Sequence, residues 1–125
     1  MSNARDIADA GYKLIAFGKF NGGSDYNPAT LGLSNESTFG ITSIYDSGVG
    51  TYTITLNQTL DHNDYTVNVF GYRHSNYSDG NIFGPSCAVT AMGTTSFSFA
   101  TYHHVPNAFS TFDPQFVCFS VFYKE

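Results

Sequence analysis

The run FGITSIYDSGVGTYTITLNQTLDHNDYTVNVFGY, residues 39–72, has two textures: alternating apolar and polar residues, and short polar breaks between them. Within Thr51–Leu56, Tyr52, Ile54 and Leu56 share one parity, and Thr51, Thr53 and Thr55 take the other. A period of two in β-branched and aromatic residues marks a half-buried strand. The threonine face suits an exposed pleated surface, because Thr is stiff at χ1 and still bonds water. Upstream, residues 39–46 place Phe39, Ile41 and Tyr45 on one parity. Ser47, Gly48, Val49 and Gly50 follow, with two glycines able to take the positive φ of a tight hairpin. Downstream, Asn57, Asp61, Asn63 and Asp64 favour turns through local side-chain-to-backbone bonds. Alternation resumes over 65–72, with Tyr65, Val67 and Val69 opposite Thr66 and Asn68. Three strands joined by short connections predict a meander, since sequential strands usually pair.

Outward from this run, residues 13–20, 86–92, 96–102 and 115–124 read as four further strands, with Gly93 opening a tight turn between the middle two. Segments 21–35, 73–85 and 103–114 are polar and read as long loops, a length that usually goes with binding or with covering an edge. Residues 1–11 read as a connector or tag with a short helical turn, and Met1 to Ala4 as part of an expression scar; residues 12–125 form one domain. The expected fold is all-β: an antiparallel β-sandwich of about seven strands.

The chain has 125 residues, enough to bury about two thirds of its unfolded surface in a single core. Aromatic residues make up 17%, with 12 Phe and 9 Tyr, while charged residues make up only 12%. Soluble domains carry about 25% charge, so a surface of this composition points to burial between subunits. The net charge of −5 leaves no basic patch for phosphates and argues against nucleic acid. No stretch approaches the roughly 20 apolar residues of a membrane-spanning helix, so no membrane insertion is expected.

The segments 13–20 and 115–124 are apolar on both parities: Leu14 and Ala16 against Ile15 and Phe17, and Phe116, Cys118 and Phe122 against Val117, Phe119, Val121 and Tyr123. A sandwich covers one face of a strand, so something else must cover the second. A symmetry-related copy does so economically, and a loop folded over that face is the alternative. On the first reading the two segments pair, and Leu14, Ile15, Phe17, Val117, Phe119 and Val121 line a subunit interface.

The central run also resembles a pattern repeated in the C-terminal tip, or receptor-binding, domains of bacteriophage tail fibres. The matching residues are Ile41, Ser43, Ile44, Gly48, Gly50, Tyr52, Thr53, Ile54 and Leu56, followed by Asp64, Tyr65 and Val67. The apolar closing segment 116–123 is similar to the strand that ends such domains. The match covers roughly half the chain and departs from the pattern at 73–85 and 103–114. The resemblance implies a homotrimer located in the virion, at a tail-fibre tip, which contacts a bacterial cell-surface glycan or outer-membrane receptor without catalysis. A terminal trimerisation or carbohydrate-binding module of a polysaccharide depolymerase, and a monomeric lectin-like adhesin module, are the alternatives.

No catalytic or metal signature accompanies this pattern. His103 and His104 are adjacent and would face opposite sides of a strand. His62 and His74 stand apart from them, and no Cys-x-x-Cys or His-x-x-x-His spacing marks a zinc site. Asp61, Asp64, Asp79 and Asp113 all sit near turns, so turn chemistry accounts for them better than a carboxylate pair does. No nucleophile elbow is present, and no cofactor is expected. Cys87 and Cys118 permit a disulfide, but nothing requires one, and buried free thiols are the favoured reading. The ligand candidates are Tyr72, Arg73, His74, Tyr77 and Asp79 in one loop region, and Tyr102, His103, His104 and Asn107 in another. Rings offer an apolar face while Asn, Asp, Arg and His bond hydroxyls, a mixture suited to a saccharide; packing of the loops or of a subunit interface explains the same residues.

Overall fold

The computed structural model describes residues 11–22, 29–31, 38–72, 85–105, 108–111, 114 and 116–124. Residues 1–10, nearly all of the expected connector, lie outside the described residues. The strands are β1 (Tyr12–Phe20), β2 (Ala29–Leu31), β3 (Thr38–Phe39), β4 (Ile41–Gly48), β5 (Thr51–Leu56), β6 (Thr66–Tyr72), β7 (Pro85–Met92), β8 (Ser96–Val105), β9 (Ala108–Thr111) and β10 (Phe116–Lys124). Every pairing is antiparallel. One sheet has the order β3-β1-β10-β6; the other has β2-β4-β5-β8-β7, with β9 also on β8. Because β7 holds one edge of β8, β9 continues along the other edge where β5 ends: Thr51 faces Ala100, and Thr111 faces Tyr102. The fold is thus an all-β sandwich, as the alternation predicts.

The core is the set of inward parities from both sheets. Ile44, Tyr52, Ile54, Leu56, Phe97 and Phe99 from the larger sheet meet Ile15, Phe20, Val117, Phe119 and Val121 from the smaller. Its centre is aromatic. Phe20 meets Tyr52 edge-on with centroids 5.2 Å apart, and Phe97 meets Phe119 edge-on at 5.8 Å; such pairs add about 0.5–1.5 kcal/mol beyond area burial. Tyr52 is fully buried, and its hydroxyl donates to the Gly22 carbonyl at 2.8 Å. That bond satisfies the polar end of a side chain whose ring the core needs.

Three expectations are corrected. First, residues 39–72 do not form a meander. β4 and β5 pair as a hairpin, with Gly50 at φ 68° in its turn, but β6 lies in the opposite sheet beside β10. The connection between β5 and β6 crosses the end of the sandwich because Leu60 and Tyr65 are buried, 5% and 8% exposed, and pull it over the core. Second, residues 39–46 are two strands in different sheets, with the break at Gly40. This residue has φ +77°, and a Cβ added to it would stand 2.0 Å from the Ile15 carbonyl oxygen. The break and the register shift after Ile41 invert the expected parity: Phe39 and Tyr45 are exposed, while Ile44 and Asp46 are buried. The Gly48 N–H donates to Asp46 Oδ1 at 3.3 Å.

Third, β1 and β10 pair as expected, but the residues assigned to a subunit interface divide between the two faces. Ile15, Val117, Phe119 and Val121 point into the sandwich and are buried. They are therefore spent on the protomer's own core and cannot meet a neighbour. Leu14 and Phe17 are exposed, 45% and 39%. The register shift between Leu14 and Ala16 lets Ile15 and Ala16 both turn inward, which a strict alternation misplaces. The short strands β2 and β9 fall in segments read from the sequence as loops.

Candidate functional site

Tyr72 ends β6 opposite Phe116. Tyr102 is half-buried in β8 opposite Ser86, and His103 and His104 follow it in the same strand opposite Pro85 and Phe109. Arg73, His74, Tyr77, Asp79 and Asn107 lie outside the described residues. The stems of the two segments leave the same end of the sandwich. Cys87, one residue from Ser86, hydrogen-bonds the Gly71 backbone, one residue from Tyr72. Among the described residues no three of His, Cys, Asp and Glu gather as a metal set would.

The outward face of the smaller sheet carries Tyr12, Leu14, Phe17, Phe39 and Phe70, each more than a third exposed. Directly opposed residues share a face, so the pairings Tyr12–Lys124, Leu14–Phe122, Phe17–Ser120, Lys19–Cys118, Cys118–Phe70 and Phe17–Phe39 define it. Phe70 is 69% exposed and Phe39 54%, and Phe39 stacks on Phe17 with centroids 5.5 Å apart. Lys19 Nζ stands 4.5 Å from the Phe116 ring centroid, and Lys124 Nζ 5.4 Å from that of Tyr12. No carboxylate appears among these paired positions.

Two recesses lie at the margins of this face. One, of about 260 Å³, opens between β6 and β7 and is lined by Val67, Asn68, Val69, Phe70, Cys87 and Val89. Burial pushes the Cys87 thiol above its ordinary value, against the bond to Gly71. The cysteines are both free, one in each sheet. Comparison of the chain with protein-family models, curated proteins and solved structures finds no match.

The other recess, of about 290 Å³, is formed by Tyr12, His62, Asp64, Tyr65, Thr66 and Lys124. Its walls are fixed by hydrogen bonds. The Asp64 N–H donates to His62 Nδ1 at 3.2 Å, so that nitrogen must be the acceptor, and Nε2 then donates to the Lys124 carbonyl at 3.0 Å. The imidazole also stacks on Tyr123, centroids 4.7 Å apart. The Tyr65 hydroxyl donates to the Gly93 and Ser96 carbonyls at 2.8 and 3.3 Å, and the Asn63 amide donates to the Met92 carbonyl. Sequence reasoning assigned Asp64 to a turn and set His62 aside. It missed the recess because the walls come from the first strand, the last strand and a mid-chain crossover.

Proposed function

We propose that this chain is the tip domain of a bacteriophage tail fibre, a non-catalytic virion module that assembles as a homotrimer and contacts a receptor on the host surface, of saccharide type. The observation that carries the reading is the exposed aromatic face of the smaller sheet. Four large apolar side chains there, Leu14, Phe17, Phe39 and Phe70, are each more than a third exposed. Solitary soluble domains scatter such residues singly. Such residues gathered on one sheet face, in a chain with 12% charged residues, suit a subunit interface. The number three and the viral setting come from the resemblance of the Ile41 to Val67 region to tail-fibre tips. The low charge and the rings at the stems of the 73–84 and 106–107 segments support saccharide contact at the end that carries Tyr72 and Tyr102.

Light scattering on the eluting chain tests the assembly. The expected mass is three times 13.6 kDa, falling to a single chain in a Phe39→Ser/Phe70→Ser variant that keeps its fold. A wild-type monomer at micromolar concentration contradicts the trimer and favours the lectin-like monomer.

A further inference from the structure

We propose that the recess between Tyr12, the His62 to Thr66 crossover and Lys124 binds a single saccharide residue. The inference stands on the geometry of this corner and not on the fibre reading, and it concerns the end of the sandwich opposite the Tyr72 and Tyr102 stems. The recess, about 290 Å³, lies at the small end of ligand pockets, which run from about 300 to 1,000 Å³. It therefore has room for one ring and not for a long chain or a folded partner.

Its chemistry selects among small ligands. Asp64 and Lys124 line the same recess, and Lys124 Nζ lies 5.4 Å from the Tyr12 ring centroid. A simple anion would meet Asp64 and a simple cation would meet Lys124, so a neutral molecule rich in hydroxyls is favoured over either ion. A carboxylate accepts two hydroxyl donors and an ammonium donates to hydroxyl or ring oxygens, both as charge-assisted bonds. Thr66 is exposed and adds a hydroxyl. Tyr12, 39% exposed, adds an aromatic ring for the C–H side of a sugar, and the exposed Lys124 places its Nζ 5.4 Å from that ring's centroid.

The site is also preorganised. His62 is locked between Asp64 and Lys124, touching the backbone of both, so their main chains keep a fixed separation before any ligand arrives. Preorganisation of this kind lowers the entropic cost of binding.

The test is a titration of the 125-residue chain with glucose, galactose and N-acetylglucosamine in turn, followed by backbone amide NMR shifts. The expected result is saturable shifts centred on Tyr12, His62, Asp64, Thr66 and Lys124, with millimolar affinity for at least one sugar. Asp64→Asn and Lys124→Met each weaken that affinity about tenfold, the loss of one charge-assisted bond. Both side chains are exposed, so both variants should keep the wild-type spectrum elsewhere. Sodium acetate is expected to give no saturable shift at these amides. Absence of saturable shifts with all three sugars, equal affinity in both variants, or saturation by acetate alone overturns the proposal. The solution mass is a separate readout, so failure here leaves the assembly reading standing and the reverse also holds.

Discussion

At the scale of single residues, three positions hold conformations or bonds that no neighbour can supply. Gly40 combines a positive φ with backbone contact to Ile15, so Gly40→Ala is expected to cost about 1–3 kcal/mol from conformation alone, more once the clash is included. Urea denaturation measures it, and an unchanged midpoint would mean that the sheet switch does not depend on this glycine. Tyr52→Phe deletes the buried donor to the Gly22 carbonyl and leaves that acceptor unpaired. The expected loss is about 1–3 kcal/mol, with the aromatic core otherwise intact. Burial raises the Tyr65 phenol above its ordinary value of 10.0, and its two carbonyl acceptors require the proton. The folded state thus holds this proton more tightly than the unfolded chain does. The resulting stability is fully present below the ordinary phenol value and declines as pH rises through the folded one. Tyr65→Phe should flatten that part of the alkaline slope in denaturation midpoints measured against pH; an identical slope would assign the loss to other groups.

At the scale of elements, alternation made β5, β6, β7 and β8 legible because each is long enough for a period of two to repeat, and β1 and β10 were legible as runs apolar on both parities. β2 and β9 have three and four residues, too short for a period to register, and they form because a longer neighbour offers a free edge. The sheet to which each strand belongs was less legible. Nothing local in residues 57–65 announces that the chain changes sheets; the burial of Leu60 and Tyr65 decides it. Nor does parity reveal the bulge at Ile15, which turned that expected interface residue into core. The candidate site was legible only as two loop stems, since the recess near His62 joins residues far apart in sequence. The pairing of β1 with β10 has its own consequence. Gly18 faces Phe119, and an added Cβ would lie 2.6 Å from that ring. Gly18→Val should therefore destabilise by about 1–3 kcal/mol through overpacking. A compensating Phe119→Leu in the same chain should recover part of the loss in a double-mutant cycle; strict additivity would show that the two do not touch.

At the scale of the whole molecule, one face of the sandwich carries its surface chemistry. The larger sheet turns Thr53 and Ser98 outward, bonded to each other at 2.9 Å, a pairing at home in water. The smaller sheet turns Phe17, Phe39 and Phe70 outward. Burying a ring such as Phe70 contributes about 1.5–3 kcal/mol, and in a closed trimer each protomer would gain it. The contrast between the two outward faces is the physical basis of the assembly reading. The most direct measurement is relaxation of the Phe39 and Phe70 ring protons by a soluble gadolinium chelate, followed over a dilution series. The account predicts strong protection at high concentration that disappears as the assembly dissociates, while the Thr51 to Thr55 face relaxes equally throughout. Rings that relax strongly at every concentration, or stay protected on dilution to the single chain, would contradict it.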